Sequence, residues 1–160
     1  MQKINIDICS IPSYDKQPML LRNHYGVEMG TSGLIIQVQS REEILADKII
    51  AFALRPNRIK NRDLWDIGWL NQQNIFLPLE LVAKKITDHK QKAVQFINLI
   101  TKQAQILKSD PSIRKEFIHE MQRFLPSQAV NDTIKNKDFW IYLTNVIQSE
   151  CSKVIHYLNK

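Results

Sequence analysis

Along the first forty residues the apolar positions follow a period of two. Ile4, Ile6 and Ile8 alternate with Asn5, Asp7 and Cys9, the pattern of a half-buried strand, which turns Asp7 away from the isoleucines. A stretch punctuated by Pro12, Pro18, Gly26, Gly30 and Gly33 reads as loop, and LIIQVQ then repeats the alternation with Leu34, Ile36 and Val38 on one face. Two strands make a marginal sheet without a third strand or a packed helix, so this pattern leaves strands in want of partners. From Ser40 onward the period becomes helical. Ser40 with Glu43 three residues later is a capping box ahead of an apolar run, predicting a helix from Arg41 that Pro56 ends. A second helix is expected from Asn61 or Asp63 to about Gln73, and a third, after Pro78, from Leu79 to about Thr87. Val94, Ile97, Ile100, Ala104 and Leu107 form an amphipathic stripe over residues 92–107. Asp110 and Pro111 supply an N-cap and first position for a helix reaching Phe124, ahead of Pro126. The last helix, 137–158, stacks Trp140, Leu143, Ile147, Cys151, Val154 and Leu158 on one seam, where Phe139 and Trp140 read as packing rather than a ligand box. The fold class predicted is α+β: a short sheet over residues 1–40 and a helical bundle over 41–160, together one compact unit.

The composition narrows the class. A chain of 160 residues suits one domain with a real core, and 44% hydrophobic residues with only 4 Gly and 6 Pro exclude long disordered segments. The formal charge of +6 favours a polyanionic partner such as nucleic acid or nucleotide phosphates. Cys9 and Cys151 have no CxxC or Cys/His ligand spacing, which argues against a zinc site or a disulfide framework and for a reducing, cytoplasmic setting. The amino-terminal residues lack a charged-then-apolar signal pattern. The longest purely apolar run, 49–54, is far below the ~20 residues of a membrane span, so no membrane partner is expected.

Candidate chemistry concentrates in residues 41–70. At 3.6 residues per turn Arg41, Ile44, Lys48, Ala51 and Arg55 fall in one line, beside an apolar line of Leu45, Ile49 and Phe52. Lys48 on so apolar a flank is either snorkelling to water or held for an anionic ligand. Arg58, Lys60 and Arg62 follow, with no acidic residue between Arg55 and Asp63; this local positive field suits phosphates, or equally a solvated helix end and loop. Asp63 near a helix start could cap orphan amides, and Asp66 lies four residues after Arg62, the spacing of a helical ion pair. Trp65 and Trp69, also four apart, read as packing on the side of the bundle. His24, His89, His119 and His156 share no spacing that suggests a metal or a catalytic base.

The segment IQVQSREEILADKIIAFALRPNRIKNRDLWDIGWL resembles the AbiEii-type nucleotidyltransferases, toxin components of type IV toxin–antitoxin and abortive-infection systems. In that family a strand ending in V-S-x-E-E-I-L-A-x-K leads to a helix bearing a lysine, matched here by Lys48. An R-D-L-x-D-L pattern opens the next helix, matched by Arg62, Asp63, Leu64, Trp65, Asp66 and Ile67. The resemblance implies a polymerase-β-like nucleotidyltransferase sheet joined to a helical half, and transfer of a nucleotide from a nucleoside triphosphate, with Mg2+ in the complete enzyme, to a hydroxyl of RNA (tRNA) or protein. It also implies a cognate antitoxin as a possible partner. By resemblance Lys48 contacts phosphates; Arg41 and Arg55, from the cation line, and Arg58 and Arg62, from the positive field, are the further phosphate-binding candidates. Asp63 is the carboxylate opening the following helix, and Asp7 the third metal carboxylate of the family. One departure is large. The family's Gly-Ser turn and the Asp-x-Asp that binds two metals are absent, since no GS dipeptide and no D-x-D occur in the 160 residues. One carboxylate cannot organise two divalent ions in place of three. The chain is therefore expected to be a truncated, inactive transferase, with Mg2+ and NTP expected only for the complete family enzyme, or else a non-catalytic module that binds RNA or pairs with another chain.

Overall fold

A computed structural model describes residues 10–22, 30–55 and 58–160 of the chain. The strand expected at residues 4–8, Asp7 with it, lies outside the described residues.

The sheet is an antiparallel hairpin of β1 (Lys16–Leu20) and β2 (Ile35–Gln39), with Met19 opposite Ile36 and Leu20 opposite Ile35. The sequence reading left β1 as loop because Pro18 breaks the pattern; as strand β2 has no other neighbour among the described residues, the hairpin has open edges, which proline tolerates. Of the expected stripe, Ile36 and Val38 fall on alternate β2 positions and Leu34 stands just before the strand, and β2 has a partner after all.

Among the described residues seven helices follow: α1 (Arg41–Leu54), α2 (Asn61–Gln72), α3 (Leu79–Asp88), α4 (Ala93–Ser109), α5 (Pro111–Met121), the single turn α6 (Ser127–Ala129) and α7 (Lys137–Leu158). Between α6 and α7 a π-helical turn, Val130–Ile134, seats Val130 and Ile134 in the core. The expected helix starts and ends recur within a residue or two, except that α5 stops at Met121 rather than Phe124. Helices α2 and α3 both end without glycine. Asn74 and Lys90 take φ of 57° and 56°, and the amides of Ile75 and Gln91 donate back to the carbonyls of Leu70 and Ile86, closing each last turn.

Helix α1 is central, packing on α2, α3 and α4, and α7 closes the bundle against α4, α2 and α3. Leu45, Ile49, Leu64, Ile67, Phe96, Ile100, Leu143 and Ile147 are fully buried. In α4 the buried face centres on Phe96, Ile100 and Leu107, while Val94, placed in the stripe by its spacing, stands exposed at the first turn. Phe139 and Trp140 pack as expected, Phe139 on Trp65 and Trp140 on Phe117.

Candidate nucleotide-binding site

Lys48 neither snorkels nor points free. Its ammonium lies 2.9 Å from Asp63 Oδ1 and 2.5 Å from Asp66 Oδ2, while the guanidinium of Arg55 lies 3.3 Å from Asp63 Oδ2. Two sequence expectations are corrected here. Asp63 caps nothing: its amide donates to the Lys60 carbonyl and its carboxylate, only 4% exposed, turns towards α1. Asp66 pairs with Lys48 rather than Arg62, because positions 63 and 66 share the face of α2 that meets α1. Among the described residues Asp63 Oδ2 accepts no hydrogen bond, and the guanidinium of Arg55 offsets its charge. Burial alone would lower the pKa of Lys48, but Asp66 and Asp63 outweigh it and the pKa is raised. Lys48 is therefore a fixed cation at any ordinary pH, suited to hold negative charge and unsuited to act as a base.

The remaining predicted cations separate into two places. Arg41, at the start of α1, lies 5.7 Å from the ring centroid of the partly exposed Trp69, so Trp69 covers the bundle less completely than Trp65. Arg58 and Arg62 face α5 instead. Arg62 pairs with Glu120 at 3.2 Å and stacks 4.2 Å over the exposed Phe124, and both arginines border a cleft of about 390 Å³ with Lys60, His119 and Arg123. The structure thus brings Lys48, Arg55, Asp63 and Asp66 together and sets Arg41, Arg58 and Arg62 apart. The linear positive field of the sequence is two sites.

Sequence reasoning missed a second ionic cluster. Lys85 on α3, 1% exposed, lies 2.7 Å from Glu43 and 2.6 Å from Asp47. Glu43 also accepts from the Ser13 hydroxyl at 2.9 Å and from the amides of Tyr14 at 2.9 Å and Asp15 at 2.8 Å. Burial by itself would raise the Glu43 pKa, but Lys85, the two amides and Ser13 hold it down at about 2. The capping box is therefore only half made. Ser40 Oγ accepts from the Glu43 amide, while the Ser40 amide donates to the Asp15 carbonyl and the Glu43 side chain serves the hairpin. The available signal was on α3, where Lys85 shares a face with Val82 and Ile86 while Lys84 does not.

Among the described residues no group of three His, Cys, Asp or Glu side chains could hold a metal ion. Asp63 and Asp66 are both engaged by Lys48, so this donor set does not fit Mg2+, and Asp7 lies outside the described residues. Cys151 is buried, which with Glu150 nearby pushes its thiol up to about 12 and makes it a core residue, not a nucleophile. Among the described residues no helix is long and apolar enough to cross a membrane.

The fold is mostly helical α+β, and its first two long helices are joined by two cations, Lys48 and Arg55, paired with two carboxylates, Asp63 and Asp66. The model of the family described as nucleotidyl transferase AbiEii toxin, type IV TA system, matches residues 1–145, and the chain belongs to that family. Comparison with curated proteins and with solved structures returned no match.

Proposed function

We propose that this chain carries the triphosphate-binding side of a nucleotidyl-transfer site, with Lys48 and Arg55 holding the phosphates and Asp63 positioning both cations. The observation that carries the reading is the buried Asp63 carboxylate shared by Lys48 and Arg55. In-line attack of a hydroxyl on an α-phosphate needs cations already aimed at the phosphoryl oxygens, and a side chain tethered to a buried acceptor loses little entropy when the ligand arrives. Asp66, with a side chain 40% exposed, is the carboxylate an incoming phosphate displaces from Lys48, whereas Asp63 stays. Arg58, Arg62 and Arg123 at the α5 cleft fit the backbone of an RNA acceptor such as tRNA, by charge rather than base recognition. A cognate antitoxin is the partner the family suggests.

The GS and D-x-D elements that hold metal in the family are not in this sequence. The chain alone is accordingly expected to bind nucleoside triphosphate without turning it over, and no step here is routed through Mg2+. Calorimetry with each ribonucleoside triphosphate tests this. Lys48→Ala should abolish binding and Asp66→Asn should strengthen it several-fold, because the neutral amide frees one side of the ammonium. Unchanged affinity in both variants removes the reading. Labelled nucleotide incorporated into tRNA by the wild-type chain, and lost in Lys48→Ala, would show that the chain is active alone.

A second reading, an interaction module that pairs with another chain, is favoured by one observation. The hairpin tip exposes apolar side chains on both faces: Leu34, Ile36 and Met19 on one, Ile35 and Leu20 on the other. Strands apolar on both faces belong inside larger sheets.

A further inference from the structure

The two edges of the hairpin are not alike. The Leu21 amide donates to the Leu34 carbonyl and the Ser40 amide to the Asp15 carbonyl, each at 2.8 Å. In the register that sets Lys16 opposite Gln39, the residues that bond across the ladder are therefore 15, 17, 19 and 21 on one strand and 34, 36, 38 and 40 on the other. The residues between them turn their backbone groups outward: Lys16, Pro18 and Leu20 on β1, Ile35, Gln37 and Gln39 on β2. Pro18 stands in the middle of the β1 edge with no amide to offer, and Lys16 adds a charge beside it. The β2 edge has neither proline nor charge, and among the described residues no backbone bond reaches it. One edge is closed to an added strand and the other is open. Apolar side chains gather at the open one, with Leu34, Ile35 and Ile36 52%, 69% and 40% exposed. At its base the Gln39 side chain is tied to Asp47 and Ser40 is buried at the start of α1, so the bundle takes up that end and leaves the tip.

We propose that the β2 edge pairs with the β2 edge of a second copy of this chain, antiparallel about a two-fold axis at Ile35, so that two hairpins join into one four-stranded sheet. The inference rests on the pairing reading given above, independently of the phosphate-binding one, and names the partner. Self-complementarity selects a second copy. A two-fold axis at Ile35 sets Ile35 against Ile35 on one face and Leu34 against Ile36, twice, on the other, so each exposed apolar side chain of the edge meets an apolar side chain. The outward amide and carbonyl of Ile35 exchange bonds with those of its counterpart. Charge permits the contact as well. No charged residue lies between Gly33 and Gln39, so two chains of formal charge +6 meet without like charges on facing strands. Antiparallel pairing at the tip also carries the two bundles off at opposite ends of the sheet. An axis at Gln37 would instead lay the tip of each hairpin along Ser40 and Arg41 of the other copy, where α1 begins.

Sedimentation of the whole chain over a concentration series tests this. The contact is small beside the about 20–30 residues a side of a stable complex, so the wild type should pass from monomer to dimer as its concentration rises. Ile35→Lys and Ile35→Glu should each stay monomeric with an unchanged thermal midpoint, because each sets like charges face to face on the axis. An equimolar mixture of the two variants should dimerise again, since opposite charges then meet there. Association that survives both substitutions, or a mixture that stays monomeric, overturns the pairing at Ile35. If a variant unfolds, hydrogen exchange of the wild type decides: the backbone amides of Ile35 and Gln37 should slow several-fold with concentration, and those of Lys16 and Leu20 should not. A wild type that stays monomeric with those two β2 amides exchanging freely overturns the second copy and leaves pairing with a different chain standing. The same amides protected in the monomer at every concentration would mean an edge closed within the chain, and the second copy and the pairing reading would fall together.

Discussion

Lys85 is the residue whose replacement should cost the chain most. It is a cation enclosed by α3 and α1 with two carboxylates on it, and removing it strands Glu43 and Asp47 without a counter-charge. Breaking such a buried pair costs about 3–5 kcal/mol. Lys85→Met should therefore lower the urea-unfolding free energy by that order, and adding Glu43→Gln should recover part of the loss; a double variant no better than the sum of the singles shows the charges are uncoupled. Glu43 also sets an acid limit. Its carboxyl is held at about 2 in the fold against an ordinary 4.5, so between these values the unfolded chain binds the extra proton. The stabilisation is complete above pH 4.5 and is lost as pH falls towards 2. Thermal unfolding followed over that window should show the loss in wild type and a flatter acid limb in Glu43→Gln. The pairing was not legible from the sequence, where Glu43 read as half of a capping box and the place of Lys85 on the Val82 and Ile86 face of α3 signalled its burial but not its partners. A local motif accounts for a side chain only when no distant group competes for it, and Lys85 is 42 positions from Glu43 in a chain whose periodicity says nothing of which helices meet.

The helices, by contrast, were legible nearly residue by residue, because their boundaries rest on local groups. Ser40 accepts from Glu43, Asp110 from Ser112 and Asn136 from Asp138, each fixing a first turn by a bond within three positions. Strand β1 was not legible, since its pairing with β2 is long-range and Pro18 argues against it. The seam between α2 and α7 gives a test at this level. A Cβ placed on Gly68 would stand 2.6 Å from Leu143 Cδ1, and Leu143 is fully buried, so the two helices approach only because residue 68 has no side chain. Gly68→Ala adds about 1 kcal/mol of helix propensity but must displace a packed leucine, at a typical cost of about 1–3 kcal/mol. It should destabilise the wild type and, in a Leu143→Ala background, stabilise; the same sign in both backgrounds would refute the close-approach account.

Taken whole, the molecule is a helical bundle with a hairpin attached, and the two parts are held in different ways. The bundle has a continuous apolar core, whereas the hairpin tip leaves Met19 56% and Ile35 69% exposed. Exposed apolar side chains outside a core contribute little to stability, within about 0.5 kcal/mol each, and favour association. Met19→Lys with Ile35→Lys should thus leave the thermal midpoint nearly unchanged while reducing self-association in sedimentation; a drop of several degrees would show that the tip packs on the bundle. The segment that leads into β1 is fastened to the bundle through polar groups: Ser13, Tyr14 and Asp15 on Glu43, the Tyr14 hydroxyl on Asp88 at 2.8 Å, and Lys84 over the Tyr14 ring at 3.6 Å. Releasing it would uncover little apolar area, and the slope of a free energy against denaturant follows the area uncovered. The opening of the hairpin is then a local event that urea scarcely promotes. Hydrogen exchange should find the amides of Tyr14 and Asp15 opening at nearly the same free energy across sub-denaturing urea, while those of the bundle steepen with it.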